Sequence, residues 1–167
     1  MRPSHNKGGV LVESVLILPI LLALLIGTVE LARVTYTYYM LEKIMYNFAR
    51  TIGTQQGVNF CDPNDATVQT VITYAITGAP DGSGTALLPG LQASMFVINA
   101  ERVDPTSGNV VPCDCSTVGC DASQGGQPPS YITVSLVDGY MVHPLFWGFA
   151  VDPFPLRPMV RVPYGGT

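Results

Sequence analysis

The sequence predicts an α+β fold in which a long N-terminal helix crosses a membrane. The outer half of that helix is expected to pack on a small antiparallel sheet together with one further helix. Three observations lead to this fold class. An apolar run lies near the N-terminus, a helical apolar repeat continues directly beyond it, and the C-terminal half contains short alternating segments separated by turn signals.

Composition limits what kind of protein this is. The chain has 167 residues, of which 47% are hydrophobic and only 12% charged, enough for one modest domain with an appendage. Arg2 and Lys7 precede the apolar run, whereas Glu13 lies within it and the other 11 acidic residues lie after it. An acidic body does not suit nucleic-acid binding. The basic start predicts a cytoplasmic N-terminus and an exported C-terminal body.

The apolar run from Val10 to Val29 is long enough to cross a bilayer. Its only charged residue is Glu13. Twenty residues at about 1.5 Å rise give roughly 30 Å, the thickness of the hydrocarbon core. An ordinary cleaved secretory signal is disfavoured, because "GTVELARV" lacks the small-residue cleavage site and Glu13 interrupts the approach to the apolar core. Pro19 should bend or loosen the helix.

The helical pattern continues outside the membrane and is expected to end at Gly53. Apolar residues recur there every three or four positions and form a packing seam of Val34, Tyr38, Leu41, Met45, Phe48 and Ile52. The seam either covers the protein's own core, packs along another subunit, or does both. Glu30 and Arg33 are spaced i, i+3 and can form an ion pair at the membrane exit. The helix from 9 to 53 therefore divides into a transmembrane part, about 10–29, and an extramembrane part, about 30–53.

Residues 54–167 are expected to form the exported globular domain. Asp62 is predicted to cap a second helix that has Pro63 in its first position and ends at Gly78. A loop covers residues 79–90. The turn "DPTSG" between "MFVINAERV" and "NVV" predicts a β-hairpin, and "YITVSLV" and "RPMVRVP" predict two more strands.

Two segments of the exported domain invite a functional interpretation. "YMVHPLFWGFAVDPFPLRP" is expected to be a loop that is buried as a lid over the sheet, with an exposed contact patch as the alternative. Its lone His143 is expected to be structural. "DPTSGN" is interpreted as a plain turn and not as a calcium loop, because it offers too few ligands. No nucleophile, paired-carboxylate or phosphate-binding pattern occurs, so we expect neither an enzyme nor a cofactor.

The four cysteines are expected to form disulfides, because the set is even and the domain is predicted to be exported. They are Cys61, Cys113, Cys115 and Cys120, and the sequence leaves all three pairings open. A zinc site is the competing interpretation. The spacing in "CDCSTVGC" lacks paired C-x-x-C units and no histidine lies nearby, so no metal is predicted.

The N-terminus resembles the signal of type IV prepilins. In that signal a basic leader ends in glycine, the prepilin peptidase cuts after it, and a glutamate stands fifth in the mature chain. Gly8 and Gly9 would flank the cut, residues 1–8 would be the leader, and Glu13 would be the fifth mature residue. Cleavage after Gly9 would make Glu13 the fourth, so the first register is preferred.

The match extends along the helix. The sequence "VESVLILPILLALLIGTVELARV" resembles the N-terminus of TadE-like proteins, minor pseudopilins of the tight-adherence (Tad, Flp-type) pilus. The resemblance covers about 7–53 and rests on Glu13, Pro19, Gly27, Glu30, Leu31 and Arg33. It implies a pilin-like fold and assembly or priming of a surface pilus for adhesion. It also implies that Glu13 pairs with the new amine of a neighbouring subunit.

The resemblance further implies partners and a location. The partners would be a prepilin peptidase, other pilin or pseudopilin subunits, and an inner-membrane assembly platform. The protein would be a bacterial inner-membrane, single-pass protein with a periplasmic or extracellular C-terminal domain. Two alternatives are a pseudopilin of a type II secretion system, which shares the leader logic, and a membrane-anchored periplasmic binding module, which would need neither cleavage nor Glu13.

Overall fold

A computed structural model describes residues 7–62, 64–115, 120, 125–144 and 152–166, without the side chains of residues 7–11. It confirms the α+β fold class: a long N-terminal helix, a second helix and a small antiparallel sheet. The first helix, α1, spans Lys7–Ile52 and starts two residues before the predicted Gly9. Gly53 follows its end as predicted, and its N–H donates to the Ala49 carbonyl at 2.9 Å.

The second helix, α2, spans Ala66–Thr77, and its cap differs from the prediction. Asp65, not Asp62, is the N-cap, and its carboxylate accepts from the backbone N–H groups of Thr67 and Val68. A capping side chain must sit directly before the first helical residue to reach these donors. Asp62 instead accepts from Asn64 N at 2.8 Å in the preceding turn, and the predicted position of Pro63 lies outside the described residues. Gly78 ends α2 with φ 74°.

Six strands complete the domain, namely β1 Phe96–Val103, β2 Val110–Pro112, β3 Tyr131–Leu136, β4 Tyr140–Val142, β5 Phe154–Leu156 and β6 Val160–Pro163. The main sheet is antiparallel in the order β2-β1-β3-β6. The predicted hairpin is present, because Arg102 of β1 pairs with Val111 of β2. The strands predicted from "YITVSLV" and "RPMVRVP" are β3 and β6, and Ile132 pairs with Val162 between them.

One hydrophobic core lies between the outer half of α1, α2 and one face of the sheet. From the predicted seam, Leu41, Met45, Phe48 and Ile52 are fully buried in this core. Val34 is half-buried, while Tyr38 is 43% exposed and does not belong to the buried face. The fully buried part of α1 begins at Leu41. The buried part of the seam therefore covers the protein's own core.

The predicted aromatic loop contains a second, two-stranded sheet. Strand β4 pairs with β5, so that Met141 lies opposite Pro155. Gly139 has φ 79° in the segment leading into β4, and a Cβ there would lie 2.8 Å from the Leu156 carbonyl oxygen. Only glycine fits this turn without strain. Residues 145–151, where the predicted buried lid is centred, lie outside the described residues. Among the flanking residues Val142 is buried, whereas Met141 is 45% exposed.

Candidate membrane and assembly site

The inner part of α1 presents apolar side chains on all sides. Its large hydrophobic residues from Val12 to Leu31 are 41–68% exposed, so the part of the chain that the structure describes does not cover them. By length and composition this helix could span a membrane, and its most apolar window has a mean hydropathy of 2.5. Pro19 lies within α1 and does not end it, although proline removes one helical hydrogen bond. A helix that is hydrophobic all round is typical of a lipid environment.

Glu13 is the carboxylate inside this apolar part. It is exposed, and none of the described side chains, which begin at Val12, forms an ion pair or a hydrogen bond with it. Gly8 and Gly9 lie in the first turn of α1, where their backbone is helical. Gly9 and Glu13 are four positions apart, which is about one helical turn, so Gly9 N and the Glu13 side chain lie toward the same face.

Glu30 and Arg33 form the ion pair that their spacing suggested. The Arg33 Nη1 atom lies 3.4 Å from Glu30 Oε1, with the Glu30 side chain 15% exposed and that of Arg33 41% exposed. Because the Arg33 side chain is exposed and the contact is long, we expect the pair to contribute about 1 kcal/mol or less. Arg33 Nη1 also donates to the backbone carbonyl of His143 at 3.2 Å. This second bond, which the sequence did not predict, ties the membrane exit of α1 to the end of β4.

The matched family covers this same helix. Residues 8–50 match the family model described as "TadE-like protein". The N-terminal helix is TadE-like. The match includes Gly8, Gly9, Glu13, Glu30 and Arg33 and covers about a quarter of the 167 residues. No curated protein and no solved structure matches the chain. The match shows a likeness of residues 8–50 to that family.

The C-terminal domain beyond the TadE-like helix contains two disulfides. They join Cys61 to Cys115 and Cys113 to Cys120, one of the three pairings that the sequence left open. The first bond spans 54 residues and connects the segment before α2 to the segment after β2. The second closes a local loop of 7 residues. Disulfides of this kind suit a small exported domain.

The turn "DPTSGN" is built from internal hydrogen bonds. One Asp104 carboxylate oxygen accepts from Thr106 N at 2.9 Å, and the other accepts from Ser107 Oγ at 2.7 Å. The hydrogen bond from the Ser107 hydroxyl, with that from Thr106 N, lowers the pKa of Asp104 below its ordinary value. Both carboxylate oxygens are therefore engaged in the turn. Within the described residues, no cluster of three or more His, Cys, Asp or Glu side chains could hold a metal ion.

Sequence reasoning missed the features that depend on distant contacts. The tie between Arg33 and His143 joins residues 110 positions apart, and no local pattern signals it. The β4–β5 hairpin also brings Met141 beside the membrane exit of the TadE-like helix, where both line one groove. The only available signal was the cluster of aromatic and apolar residues around "YMVHPLFW".

Proposed function

We propose that this protein is a TadE-like minor pseudopilin that helps to assemble or prime a Tad/Flp-type surface pilus for adhesion. The observation that carries the proposal is the family match over residues 8–50 on a helix that could span a membrane. The N-terminus lies in the cytoplasm and the disulfide-bonded domain on the far side of the inner membrane. Arg2 and Lys7 before the apolar run support this orientation.

A prepilin peptidase cleaves the chain between Gly8 and Gly9 in this proposal. A peptidase must bind the scissile bond in an extended form, so the first turn of α1 has to unwind. Glycine is less favourable in a helix than alanine by roughly 1 kcal/mol per residue, and two adjacent glycines make local unwinding easy. Cleavage releases residues 1–8 and gives Gly9 a charged α-amine at the cytoplasmic boundary. The protein is thus a peptidase substrate and not an enzyme.

Glu13 then finds its partner in another subunit. A carboxylate within an apolar span is costly, and such groups usually pair with a cation. No described residue of the chain offers that cation, whereas the Gly9 amine of a neighbour would. The same amine could also meet Glu13 of its own chain, one turn away. Pairing between subunits sets the axial register of helices in a filament, so only this arrangement makes pilus assembly depend on Glu13.

The cleavage step is tested by intact-mass and N-terminal mass analysis of the full chain co-expressed with its prepilin peptidase. We expect loss of the mass of residues 1–8. The matched control is Gly8→Val, which places a β-branched residue at the cut and should leave the leader attached. An intact leader in the unsubstituted chain, or a cut after residue 27 or beyond, would contradict the pseudopilin assignment and favour a membrane-anchored binding module.

Two kinds of pilin-like apparatus share this leader. A type II secretion pseudopilin is therefore the alternative, and the TadE-like match favours the Tad system. Co-purification of the processed chain with sheared surface pili distinguishes the two. Recovery in the pilus fraction supports the Tad assignment, and recovery solely with a secretion complex contradicts it.

A further inference from the structure

A groove lies where α1 leaves the apolar span. Its walls are Arg33, Tyr36 and Thr37 of α1, the loop 87–90, and β4 with His143. The groove has a volume of about 650 Å³, within the roughly 300–1,000 Å³ typical of small-molecule sites. The Tyr140 hydroxyl donates to the Pro89 carbonyl at 2.7 Å and so joins two of these walls.

The height of the groove places it at the lipid headgroups. Arg33 follows Val29, the end of the apolar span, by four residues, which is about 6 Å along the helix. The headgroup layer adds roughly 5–8 Å on each side of a 30 Å hydrocarbon core. The contact between Arg33 and His143 brings β4 to the same level. The groove therefore lies beside the outer leaflet of any bilayer that α1 crosses.

The chemistry of the groove is amphipathic. Both hydrogen-bond contacts of Arg33 use Nη1, and among the described residues none uses Nη2 or Nε. Those nitrogens can donate to two oxygens of a phosphate, the fork geometry that guanidinium groups favour. Leu87 and Met141 are 48% and 45% exposed and supply apolar wall. The Tyr36 ring, 64% exposed, is of the type enriched at membrane interfaces.

We propose that this groove binds one glycerophospholipid from the leaflet on the exported side. Its phosphate lies against the Arg33 guanidinium, and its glycerol and first acyl carbons lie along Met141 and Leu87. Glu30 offsets part of the Arg33 charge. The hydrogen bonds from the Arg33 guanidinium therefore contribute more to phosphate binding than its net charge does. Binding then depends little on salt. The inference rests on the proposed membrane insertion of α1 and adds a lipid contact for the exported domain.

The test uses the full chain in nanodiscs that contain a phosphatidylglycerol with a photoactivatable group near its glycerol. After illumination, labelled peptides are mapped by mass spectrometry. We expect label on 87–90 and on 140–144, in addition to the apolar part of α1. Diazirine-tagged glycerophosphate without acyl chains, added at the same concentration, should not label the groove.

Three variants identify the contacts. Arg33→Gln should reduce groove labelling about tenfold, as expected for loss of charge-assisted hydrogen bonds. Met141→Asp leaves Arg33 and its bonds intact and should reduce labelling to a similar extent. Met159→Asp is the matched control, because Met159 is 71% exposed but borders Tyr39 and Tyr46, about one to three helical turns farther from the membrane.

The outcomes separate this inference from the proposed function. Label confined to α1 would overturn the lipid site while leaving membrane insertion intact. Absence of label on α1 itself would overturn insertion, and with it the site. Groove labelling by glycerophosphate alone, or equal loss of labelling in Met159→Asp, would also contradict a phospholipid held by Arg33 and Met141. Cross-links between two chains at the groove would assign it to a second copy instead.

Discussion

The two halves of α1 have opposite surroundings. From Val12 to Leu31 the large hydrophobic side chains are at least 41% exposed, whereas Leu41, Met45 and Phe48 are fully buried. The difference lies in their pattern. The inner half is apolar on every side, which suits lipid, and the outer half is apolar along one seam, which suits a protein core. One continuous helix thus has two kinds of hydrophobic surface. The pattern of apolar residues indicates which surface suits lipid and which suits the protein core.

The largest expected difference between the two halves of α1 appears when a large side chain is removed from each. Phe48→Ala should lower the free energy of unfolding of the C-terminal domain by about 3–5 kcal/mol, because it leaves a cavity beside Phe96, whose ring centroid lies 5.4 Å from that of Phe48. Leu22→Ala should change it by less than about 0.5 kcal/mol, because Leu22 is 51% exposed and is not part of the hydrophobic core. Denaturant titration of both variants in detergent checks this, and equal losses would contradict it.

The next largest effect concerns the two disulfides of the C-terminal domain. Replacing Cys61 and Cys115 by serine should cost about 4 kcal/mol on the chain-entropy model, because that bond closes a 54-residue separation. Replacing Cys113 and Cys120 should cost about 2.5 kcal/mol, because the separation is 7. Thermal unfolding of the two double variants gives the order. A larger loss of stability in the variant without Cys113 and Cys120 would contradict the disulfide pairing or its stabilising role.

A smaller effect tests the start of α2. Asp65→Ala should destabilise the exported domain by about 1 kcal/mol, since its carboxylate accepts from two backbone N–H groups at the helix start. Asp62→Ala is the matched control and should cost less, because Asp62 accepts from Asn64 N in the turn before the helix. If Asp62→Ala proved the more harmful, the original cap prediction would be restored.

The smallest effect depends on pH. The Tyr164 hydroxyl donates to the Gln55 carbonyl at 2.8 Å, and burial raises the pKa of Tyr164 above its ordinary value of 10.0. Tyr164→Phe should cost about 1 kcal/mol at pH 9. The folded state favours the protonated phenol, so this contribution is complete below pH 10 and declines as pH rises through the folded-state pKa. Denaturant unfolding at pH 9 and pH 11 should show that the difference in free energy of unfolding between the unsubstituted chain and Tyr164→Phe becomes smaller at the higher pH. An unchanged difference would contradict the contribution assigned to the Tyr164 hydroxyl.

Local patterns predicted most of the fold. The end of α1 at Gly53, the end of α2 at Gly78 and the β1–β2 hairpin follow from glycine and turn chemistry near in sequence. The β4–β5 pair was missed because Pro155 lies in the middle of β5, and proline argues against a strand interior. In a two-stranded sheet, both strands are edges and can accept it.

Only some features of the candidate site could be predicted, namely those that depend on residues close together in the sequence. Glu13 and the spacing of Glu30 and Arg33 can be read from neighbours along one helix. The disulfide pairing and the contact of Arg33 with His143 require the three-dimensional fold, because they join residues far apart in the chain. Tyr38 followed the seam period but lies before Leu41, where the fully buried part of α1 begins, and periodicity does not encode that boundary.

The proposed pairing of subunits through Glu13 is tested most directly by the amount of processed protein in sheared surface pili. Glu13→Ala should be cleaved normally between Gly8 and Gly9 yet be at least about tenfold depleted from the pili, because the variant lacks the carboxylate that pairs with the Gly9 amine of a neighbour in the proposed arrangement. Glu30→Ala is the matched control and should assemble within about twofold of the unsubstituted chain, since its ion pair is weak. Normal recovery of processed Glu13→Ala in the pili would contradict the account.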